Sequence, residues 1–529
     1  MTSTQGTFVR QSTGLVRSLG FFDQFIVSQS IIIFLNSFVL TSLYAPIFFP
    51  GADLVVVFAL GSVPAFAMAA VYSIMSGAIP RSGGDYVWST RILGPLYGTV
   101  QFVFVLVTAV IGGLAYPTYY AVSIALSQLA FALGVTTNNG PLINAASSVT
   151  DPNTAFAISI VIIAIGTIVV LLGLKVFSSF QKIATVFFLA VAGVFVILLV
   201  TINPSTIPAL FNNAMATAGS NTTYSSIISQ AGASSNFNWN NTLLASIPWG
   251  FLAFTGFNYG SYLSGETRNT KSSVTKALFL SVILATLLMV LMSALSYNDF
   301  GVKFLNSVSY VEANNGSALP TLLTTSLLVS LESPAIAAFI GIGLLVGFIV
   351  VSISYLMTIS RMIFAASFDR LLPSKFAEVN ERFHSPVYAV SLLAALWVVI
   401  TAIIWYGGFI STLLNTSLIA PIGYSLPLVA TFAFCWRKRE LFNKSISAVG
   451  RPSTLIISSL VGIAAFVFYI FAETFPIISG TFLGASLSLA YELVGAFLVI
   501  GILIYAIART RLRRSGVDFR QVYNDIPPE

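Results

Sequence analysis

The residues of this chain best suited to chemistry within a membrane are the helix breakers of one apolar segment, IPWGFLAFTGFNYG at positions 247–260. Pro248, Gly250, Gly256 and Gly260 favour an unwound helix, and unwound backbone is tolerated at membrane depth only where it lines a protein cavity. The amide and carbonyl groups released there are suited to binding a zwitterion. Small residues also permit close packing between helices, so the pattern is compatible with either a binding site or a packing surface.

Side chains for enzyme catalysis or metal binding are sparse. The chain has one cysteine, Cys435, and one histidine, His384, which excludes an intrachain disulfide and a His or Cys metal cluster. The sequence shows no nucleophile with an acid–base partner and no G-x-x-x-x-G-K-[ST] phosphate loop. It therefore predicts neither an enzyme nor a cofactor or metal site.

Ionisable residues are also rare within the apolar stretches. No Lys or Arg falls in the core of a predicted span, and this scarcity argues against a proton pump or a voltage sensor. The carboxylates nearest to membrane depth are Asp23, Glu332, Glu473 and Glu492.

The composition requires a membrane environment. Hydrophobic residues make up 57% of the 529 residues and charged residues 8%, against roughly 25% charged residues in soluble domains. We predict one membrane domain over residues 21–508, between a cytoplasmic N-terminal segment (1–20) and a cytoplasmic C-terminal tail (509–529). The N-terminal segment has no apolar signal-peptide core, so the first span is expected to direct insertion.

A helix crosses the roughly 30 Å of hydrocarbon with about 20 apolar residues, and this criterion predicts twelve spans. They are Phe21–Tyr44, Leu54–Ile79, Gly94–Phe131, Ala155–Leu174, Ile183–Ile202, Leu243–Leu263, Val274–Tyr297, Pro334–Ala365, Pro386–Tyr406, Phe409–Phe434, Thr454–Phe475 and Ala485–Ala508. The third stretch is long enough to be divided in two near Pro117, which would reverse the side of every later loop.

The basic residues distinguish between these topologies. With twelve spans, all but Lys303 of the 24 Lys and Arg residues fall on one side, as the positive-inside rule expects of the cytoplasmic side. We therefore predict a multi-pass protein of the cell membrane with both termini cytoplasmic and a single long third helix. The lipid bilayer, and not nucleic acid, is the expected partner of the basic clusters. Asn221, Asn240 and Asn315 begin N-x-S/T sequons in the predicted outer loops.

Four segments resemble the amino acid-polyamine-organocation superfamily of permeases. SGGDYVWSTRILGPLYG (82–98) is similar to that family's entry into its third helix, and FLAFTGFNYGSYLSGETRN (251–269) to its unwound sixth helix with the Gly-Glu loop that follows. SRMIFAASFDRLLPSKFAEVNERFHSP (360–386) resembles the cytoplasmic link between helices eight and nine, and RSLGFFD (17–23) the approach to helix one. The order of the segments also agrees, so the resemblance extends over residues 17–450.

The resemblance implies an all-α fold of twelve transmembrane helices with a LeuT-like 5+5 inverted repeat. The two repeats would be residues 21–202 and 243–434, with helices 1 and 6 discontinuous near the membrane midplane. Residues 454–508 would form two peripheral helices.

The resemblance also implies a substrate site at the two helix breaks. The substrate ammonium is expected near the carbonyls of residues 253–256 and its carboxylate near amides of helix one, where the family's Gly-Ser-Gly break falls on FLN at 34–36. Asn36, Ser30 and Gln29 offer side-chain contacts in place of a glycine cradle. The expected substrate-binding residues are Ser30, Ile32, Leu35, Asn36, Gly113, Ala253, Phe254, Thr255, Gly256, Asn258 and Tyr355.

Other positions follow from the same resemblance. Gly113, beside Gly112 in helix three, lies where the family leaves room for substrate, and Tyr355 in helix eight lies where an aromatic ring can form a gate. Asn258 stands where many members have Glu, and the fifth helix has no Lys at residues 184–194. A charge-dependent step at that Glu is therefore not implied, and neither is the proton coupling that some members achieve with a Lys in helix five.

We expect a secondary active transporter that moves an α-amino acid or related amine by alternating access, driven by a gradient of substrate or of a coupling ion such as H+ or Na+. The same fold carrying another small solute, such as a nucleobase or an organic cation, is the alternative. A channel or membrane receptor is a third hypothesis, which requires a continuous polar pore or a ligand-binding outer domain.

Overall fold

The computed structural model describes residues 17–232, 236–314, 321–408, 412, 416, 418–446, 452–474, 488–515 and 522–523. Some of the sequence predictions lie outside these residues: the N-terminal segment at 1–16, the sequon at Asn315, the start of the tenth predicted span at 409–411, and the C-terminal tail at 516–521 and 524–529.

The described part of the chain is helical, and a lone parallel bridge between Leu19 and Thr267 is its one β pairing. In chain order the helices are α1 (Phe21–Ile32), α2 (Phe34–Phe48), α3 (Leu54–Ala78), α4 (Asp85–Ile92), α5 (Pro95–Thr136), α6 (Gly140–Ser148), α7 (Pro152–Leu171), α8 (Leu174–Thr201), α9 (Ile207–Thr217), α10 (Tyr224–Ala231), α11 (Trp239–Ala245), α12 (Thr270–Phe300), α13 (Val302–Asn314), α14 (Thr325–Ser330), α15 (Pro334–Phe368), α16 (Val387–Gly407), α17 (Ile419–Arg437), α18 (Arg439–Ile446), α19 (Pro452–Thr474) and α20 (Ser488–Arg514).

Eleven candidate spans among the described residues have the length and hydropathy that a bilayer crossing needs. α1 and α2 together form one of them, and the others are α3, α5, α7, α8, α12, α15, α16, α17, α19 and α20. The predicted sixth span, Leu243–Leu263, is not one of the eleven, because the structure divides that segment into short helical turns.

Several helices begin at side chains that cap them. The Oδ1 atom of Asp53 accepts from the N–H groups of Val55 at 2.8 Å and Val56 at 3.3 Å at the start of α3. The hydroxyl of Ser333 accepts from the N–H of Ile336 at 3.3 Å at the start of α15. These contacts satisfy amide groups that have no partner within the first turn of a helix.

The third predicted stretch is one continuous helix, α5, of 42 residues, as the distribution of basic residues indicated. It contains π-helical turns at Ala109–Ala115 and Ala121–Leu126, on either side of Pro117. Proline has no N–H to bond the carbonyl four residues earlier, and local π-turns in membrane helices can re-satisfy the backbone groups that it leaves free. Gly112 and Gly113 both lie in the first of these turns.

The rim of the bundle is apolar. Large hydrophobic side chains are exposed there, such as Val161 on α7, Ile183 on α8, Leu287 on α12 and Ile507 on α20. A surface of this kind is stable against hydrocarbon and unfavourable in water. α1, α2, α3, α5 and α15 are the more buried spans, and they form the interior around which the rim helices pack.

The two ends of the bundle differ in charge. At one end, the Nε atom of Arg268 donates to the carbonyl of Arg17 at 3.2 Å, and Arg511 donates to the carbonyl of Arg370. We call the end of the bundle that carries Arg17, Lys182, Arg268, Arg370 and Arg511 the basic face, and the end that carries Asp53 and Lys303 the opposite face.

Candidate functional site

The first span is interrupted at Ile33, between α1 and α2. The backbone of this residue is left-handed, with φ 35° and ψ 62°, a conformation that a β-branched residue rarely adopts. The N–H of Ile33 donates to the Gln29 carbonyl at 3.0 Å, and the next ladder bond runs from the N–H of Ser37 to the Ile33 carbonyl at 3.0 Å. The N–H groups of residues 34–36 therefore form the first turn of a new helix and point back toward the break. The break lies just before the position, 34–36, that the resemblance indicated.

The sixth segment (residues 239–266) is broken at Thr255 and Gly256. It consists of α11, a π-turn at Ser246–Phe251, and 3-10 helices at Leu252–Phe254 and Phe257–Glu266. Thr255 is extended, with ψ 156°, and Gly256 has φ 97°. Glycine is the residue that adopts such a positive φ without steric cost, so the break depends on Gly256.

The break in the sixth segment leaves carbonyl groups outside the helical ladder. The N–H of Thr255 donates to the Leu252 carbonyl at 3.0 Å, and the ladder resumes with the N–H of Tyr259 on the Gly256 carbonyl at 2.9 Å. The carbonyls of residues 253–255 fall between these two bonds. Such groups need a partner at membrane depth, and a ligand or water within a cavity can supply it.

A cavity of about 230 Å³ lies between the two breaks. This volume is below the roughly 300–1,000 Å³ usual for sites of drug-sized ligands, so the cavity suits a small molecule. The described residues that line it include no charged side chain, and its polarity comes from backbone and from hydroxyl groups. The hydroxyl-bearing residues of its wall are Ser37, Thr41, Thr108, Tyr116, Tyr120, Thr255, Tyr355, Thr416, Tyr424 and Tyr469.

Of the residues predicted to bind substrate, Ala253, Thr255 and Tyr355 line this cavity. The hydroxyl of Tyr355 lies directly against Gly256, where an added Cβ atom would be 2.2 Å from Tyr355 Oη and 2.5 Å from Ile31 Cγ2. Gly256 therefore allows α1, α15 and the sixth segment to meet at one point of the cavity wall.

The two glycines of α5 have different surroundings. A Cβ atom on Gly113 would lie 2.1 Å from Cδ1 of Tyr355, so this glycine packs against the ring and supports it. Gly112 lines the cavity, and a Cβ atom there would meet no atom within 4 Å. The cavity-facing position is thus Gly112, and the predicted residue Gly113 lies behind Tyr355.

The remaining predicted residues are buried behind the cavity wall. Asn36 Nδ2 donates to the Leu344 carbonyl at 2.9 Å, and the hydroxyls of Ser30 and Ser354 are 2.6 Å apart. The fully buried others are Ile32, Leu35, Phe254 and Asn258. Substrate contact by these residues stays a prediction.

One face of α5 contributes four cavity residues, of which the sequence analysis named only Gly112. Thr108, Gly112, Tyr116 and Tyr120 all line the cavity and follow one another at intervals of four residues. Residues at this spacing share a helix face. The recurrence of small and hydroxyl-bearing residues at this spacing is the sequence pattern that could have identified these four positions as cavity residues.

Aromatic rings close the cavity toward the basic face. The ring of Tyr259 packs edge-on against Tyr355 with centroids 5.2 Å apart, and edge-on against Tyr262 at 4.9 Å. Tyr424 stacks on Tyr259 at 6.0 Å. All four rings are buried, so the path from the cavity to the basic face is filled by side chains.

Two buried ion pairs lie beneath these rings. The Nε atom of Arg361 donates to Glu266 Oε1 at 2.9 Å, which joins α15 to the end of the sixth segment. Arg91 Nη2 donates to Asp369 Oδ1 at 2.6 Å, which joins α4 to the end of α15. Arg361 lies near the end of the predicted eighth span and is fully buried inside α15. A guanidinium is tolerated there because its counter-charge is buried beside it.

Asp85, at the start of α4, is a further buried carboxylate that the sequence analysis overlooked. The hydroxyl of Tyr262 donates to Oδ1 at 2.5 Å and that of Tyr72 to Oδ2 at 2.6 Å. Gly84, with φ 51°, makes room for this contact, because a Cβ atom there would lie 2.2 Å from Cδ1 of Tyr262. The SGGD motif thus places a carboxylate directly under the sixth segment.

Comparison of the sequence with known proteins provides evidence that is independent of this geometry. The sequence profile of a family described as amino acid permease matches residues 19–503. The chain is similar to the Asc-type amino acid transporter 1 of Homo sapiens, with 25% identity over 236 residues, which are 44% of this chain and 39% of that protein. The Mus musculus protein of the same name is 26% identical over 236 residues, 44% of this chain and 38% of that protein. The chain therefore spans about two fifths of the length of the curated relatives it matches. Because the family profile extends over nearly the whole helical bundle, the chain belongs to the amino acid permease family.

Proposed function

We propose that this permease is a secondary transporter of a small neutral amino acid, which it binds between the two helix breaks. The observation that carries the proposal is the cavity of about 230 Å³, which borders both breaks and has no charged residue in its described lining. Family membership and the similarity to proteins named Asc-type amino acid transporter 1 support the substrate class.

The helix ends match the two charges of a zwitterion. The N–H groups of residues 34–36, with the positive end of the α2 dipole, are suited to the carboxylate. The carbonyls of residues 253–255 are suited to the ammonium group. A substrate side chain with its own charge would lose its hydration without meeting a counter-charge, which is costly. A neutral side chain is therefore favoured.

Alternating access is the mechanism that suits this arrangement. The cavity is closed toward the basic face by the tyrosine rings and the buried ion pairs, whereas cavity residues such as Gly112, Thr255 and Ser37 retain exposed surface. A second state, in which α1 and the end of the sixth segment move away from α15, would open the basic face. Binding drives this change only if substrate contacts differ between the two states.

We also propose a topology of twelve crossings in the cell membrane, with the eleven helices and the broken sixth segment, and with the basic face and both termini cytoplasmic. The inverted repeats are assigned to residues 21–202 and 243–434 and the peripheral pair to 454–508. In a Cys435→Ser background, a membrane-impermeant maleimide added to intact cells is expected to label Lys303→Cys and to leave Arg382→Cys unlabelled. The reverse pattern would contradict this orientation.

Transport is tested with the purified full chain in liposomes. Exchange of labelled L-alanine or L-serine across the bilayer is expected, together with a higher melting temperature in detergent, because a ligand that binds only the folded state stabilises it. Screening other amino acids, amines and nucleobases in parallel distinguishes the amino acid from another cargo. Absence of both transport and thermal stabilisation for every amino acid would overturn the proposal.

The Gly112→Val substitution is expected to narrow the substrate range. The new side chain meets open space in the cavity, so it should reduce the affinity for larger side chains and leave small substrates bound. A misfit of one methylene group in a pocket corresponds to about 10- to 200-fold discrimination. Competition of leucine and alanine against labelled L-alanine uptake measures this ratio.

Gly113→Ala is the matched control for this experiment. Its Cβ atom would lie 2.1 Å from the Tyr355 ring, so Tyr355 must move and all substrates should be affected alike. An unchanged ratio of leucine to alanine inhibition in Gly112→Val would show that Gly112 does not face the substrate.

A further inference from the structure

Asp85 is buried without a cation in contact with it in the described part of the chain. Asp85 is 1% exposed. The two oxygens of its carboxylate accept hydrogen bonds from the hydroxyls of Tyr262 at 2.5 Å and Tyr72 at 2.6 Å. A carboxylate in such a place pays a cost for burying its charge that hydrogen bonds offset only in part, and uptake of a proton removes that cost. The two hydroxyls can serve either form, because a tyrosine hydroxyl both donates and accepts.

The other groups that face Asp85 do not offer it a counter-charge. They are Tyr72 from α3, Gln101 from α5, Tyr259 and Tyr262 from the sixth segment, and Tyr424 from α17. The charged residues nearby are Arg91 on α4, Arg361 on α15, Asp369 directly after the end of α15, and Glu266 of the sixth segment. These four are already paired, Arg91 with Asp369 and Arg361 with Glu266.

A column of tyrosines connects Asp85 with the substrate cavity. Tyr355 and Tyr424 line the cavity, and Tyr259 packs against both, with centroids 5.2 and 6.0 Å away. Tyr262 packs on Tyr259 at 4.9 Å and donates to Asp85. A change in substrate occupancy that moves Tyr355 or Tyr424 is therefore transmitted by direct contact to the donor that holds Asp85.

The protonation of Asp85 depends on the closed state of the basic face. Burial raises the pKa of Asp85 from 3.8 to about 6, and the hydrogen bonds from Tyr262 and Tyr72 offset part of the rise. Water that enters when the basic face opens removes the main cause of the rise, so the pKa falls back toward the ordinary value. At a pH between these two values, Asp85 is mostly protonated in the closed state and mostly ionised in the open state, so opening releases a proton.

We propose that Asp85 is a proton-binding site, loaded while the basic face is closed and emptied to water when that face opens, so that a proton accompanies the substrate. The inference rests on the proposed transport function. In the release step the O–H bond of the carboxyl group breaks, the proton passes to water and the carboxylate remains, without any redox change. The neutral form of Asp85 stabilises the closed state, in which the tyrosine rings exclude water from the carboxyl group. The ionised form stabilises the open state, in which water reaches it.

The test compares the wild-type chain with Asp85→Asn in liposomes. Labelled L-alanine is present at the same concentration inside the liposomes and in the external buffer at the start. With the outside one pH unit more acidic, one-to-one coupling supports up to about tenfold accumulation in the wild type, because one pH unit is a tenfold ratio of proton activity. Asp85→Asn is expected to lose this accumulation and to retain exchange of labelled for unlabelled L-alanine.

Proton-driven accumulation that persists in Asp85→Asn would overturn the proposal. A wild type that exchanges L-alanine but does not accumulate it in response to the pH gradient would also overturn it. A wild type that exchanges no amino acid would instead count against the proposed function.

Asp299 provides the matched control. It is also a buried carboxylate, and its Oδ1 atom accepts from Asn298 Nδ2 at 3.0 Å near the end of α12, on the opposite face. It has no place in the tyrosine column. Asp299→Asn is therefore expected to keep proton-driven accumulation at the wild-type level. Loss of this accumulation in Asp299→Asn would show that the effect is not specific to Asp85.

An infrared titration tests the site without transport. The absorption of protonated carboxyl groups in the purified protein should decrease with a midpoint at about pH 6, and this step should be missing in Asp85→Asn. Tyr262→Phe removes one of the hydrogen bonds that lower the pKa of Asp85, so the midpoint should move to higher pH. A titration that is the same in Asp85→Asn as in the wild type would overturn the assignment even if the transport assay failed.

Discussion

Substitution of Gly256 by alanine is expected to abolish most of the substrate binding of this permease. The residue has φ 97°, and its Cβ atom would lie 2.2 Å from Tyr355 Oη and 2.5 Å from Ile31 Cγ2. The backbone must therefore move at the point where the sixth segment, α1 and α15 meet. A strain of roughly 1–3 kcal/mol at such a position corresponds to about a 5- to 150-fold loss of affinity. The concentration dependence of L-alanine exchange in liposomes measures the loss.

Gly193→Ala is the control for this substitution. Gly193 lies within α8, and a Cβ atom there would meet nothing within 4 Å. Alanine is favoured over glycine in a helix by roughly 0.5–1 kcal/mol, so this variant should transport normally and be no less stable than the wild type. Normal affinity in Gly256→Ala would mean that the break in the sixth segment does not form the substrate site.

Removal of one member of the Arg361–Glu266 pair is expected to cause the largest loss of stability. Both side chains are buried, and the guanidinium donates twice to the carboxylate, at 2.9 and 3.3 Å. Glu266→Gln leaves the charge of Arg361 buried without compensation, for which the expected cost is roughly 3–5 kcal/mol. The double variant Glu266→Gln with Arg361→Met should recover part of this loss, because it leaves no isolated charge. Denaturant unfolding in detergent measures the free energies.

The Lys182–Asp23 pair offers a comparison at the basic face. Its Nζ–Oδ1 distance is 2.6 Å, but the lysine side chain is 41% exposed. Exposed ion pairs contribute about 0–1 kcal/mol, so Lys182→Met should have a small effect on unfolding. Equal losses of stability in Lys182→Met and Glu266→Gln would contradict the view that burial makes the Arg361–Glu266 pair important.

The helices and the unwound sixth segment could be predicted from the sequence because both follow from local composition. The apolar stretches are long enough to cross a bilayer, and the breakers between Pro248 and Gly260 lie where the structure has π and 3-10 turns. The continuity of α5 could also be predicted, although Pro117 suggested a division, because the basic residues of other loops constrain it.

The break in the first span could not be located from local residues. The sequence there has no glycine or proline, and isoleucine disfavours the left-handed conformation that Ile33 adopts. Tertiary contacts determine the position of this break, and local composition does not reveal them.

The orientation of side chains within the helices was also beyond sequence reasoning. Gly112 and Gly113 were both candidates, but successive residues of a helix point about 100° apart, and π-turns change the phase further. The structure places Gly112, and not Gly113, in the cavity wall. A single sequence does not show which side of each helix faces the cavity.

Buried charges were missed for a different reason. Arg361 and Glu266 are 95 residues apart in the chain, and each was interpreted by the loop or helix end next to it. Asp85 likewise follows a glycine pair that is typical of a turn. Their burial arises from the packing of α4, α15 and the sixth segment, which local patterns do not reveal.

The left-handed backbone of Ile33 has an energetic consequence for the first span as a whole. A β-branched residue in this conformation costs roughly 1–3 kcal/mol, and a merger of α1 and α2 into one uninterrupted helix would recover that energy. Packing around the interruption must outweigh this cost. The strain therefore reduces, by that amount, the free-energy difference between the broken and the continuous forms of the first span, and with it the differential binding energy that a ligand needs to shift their populations.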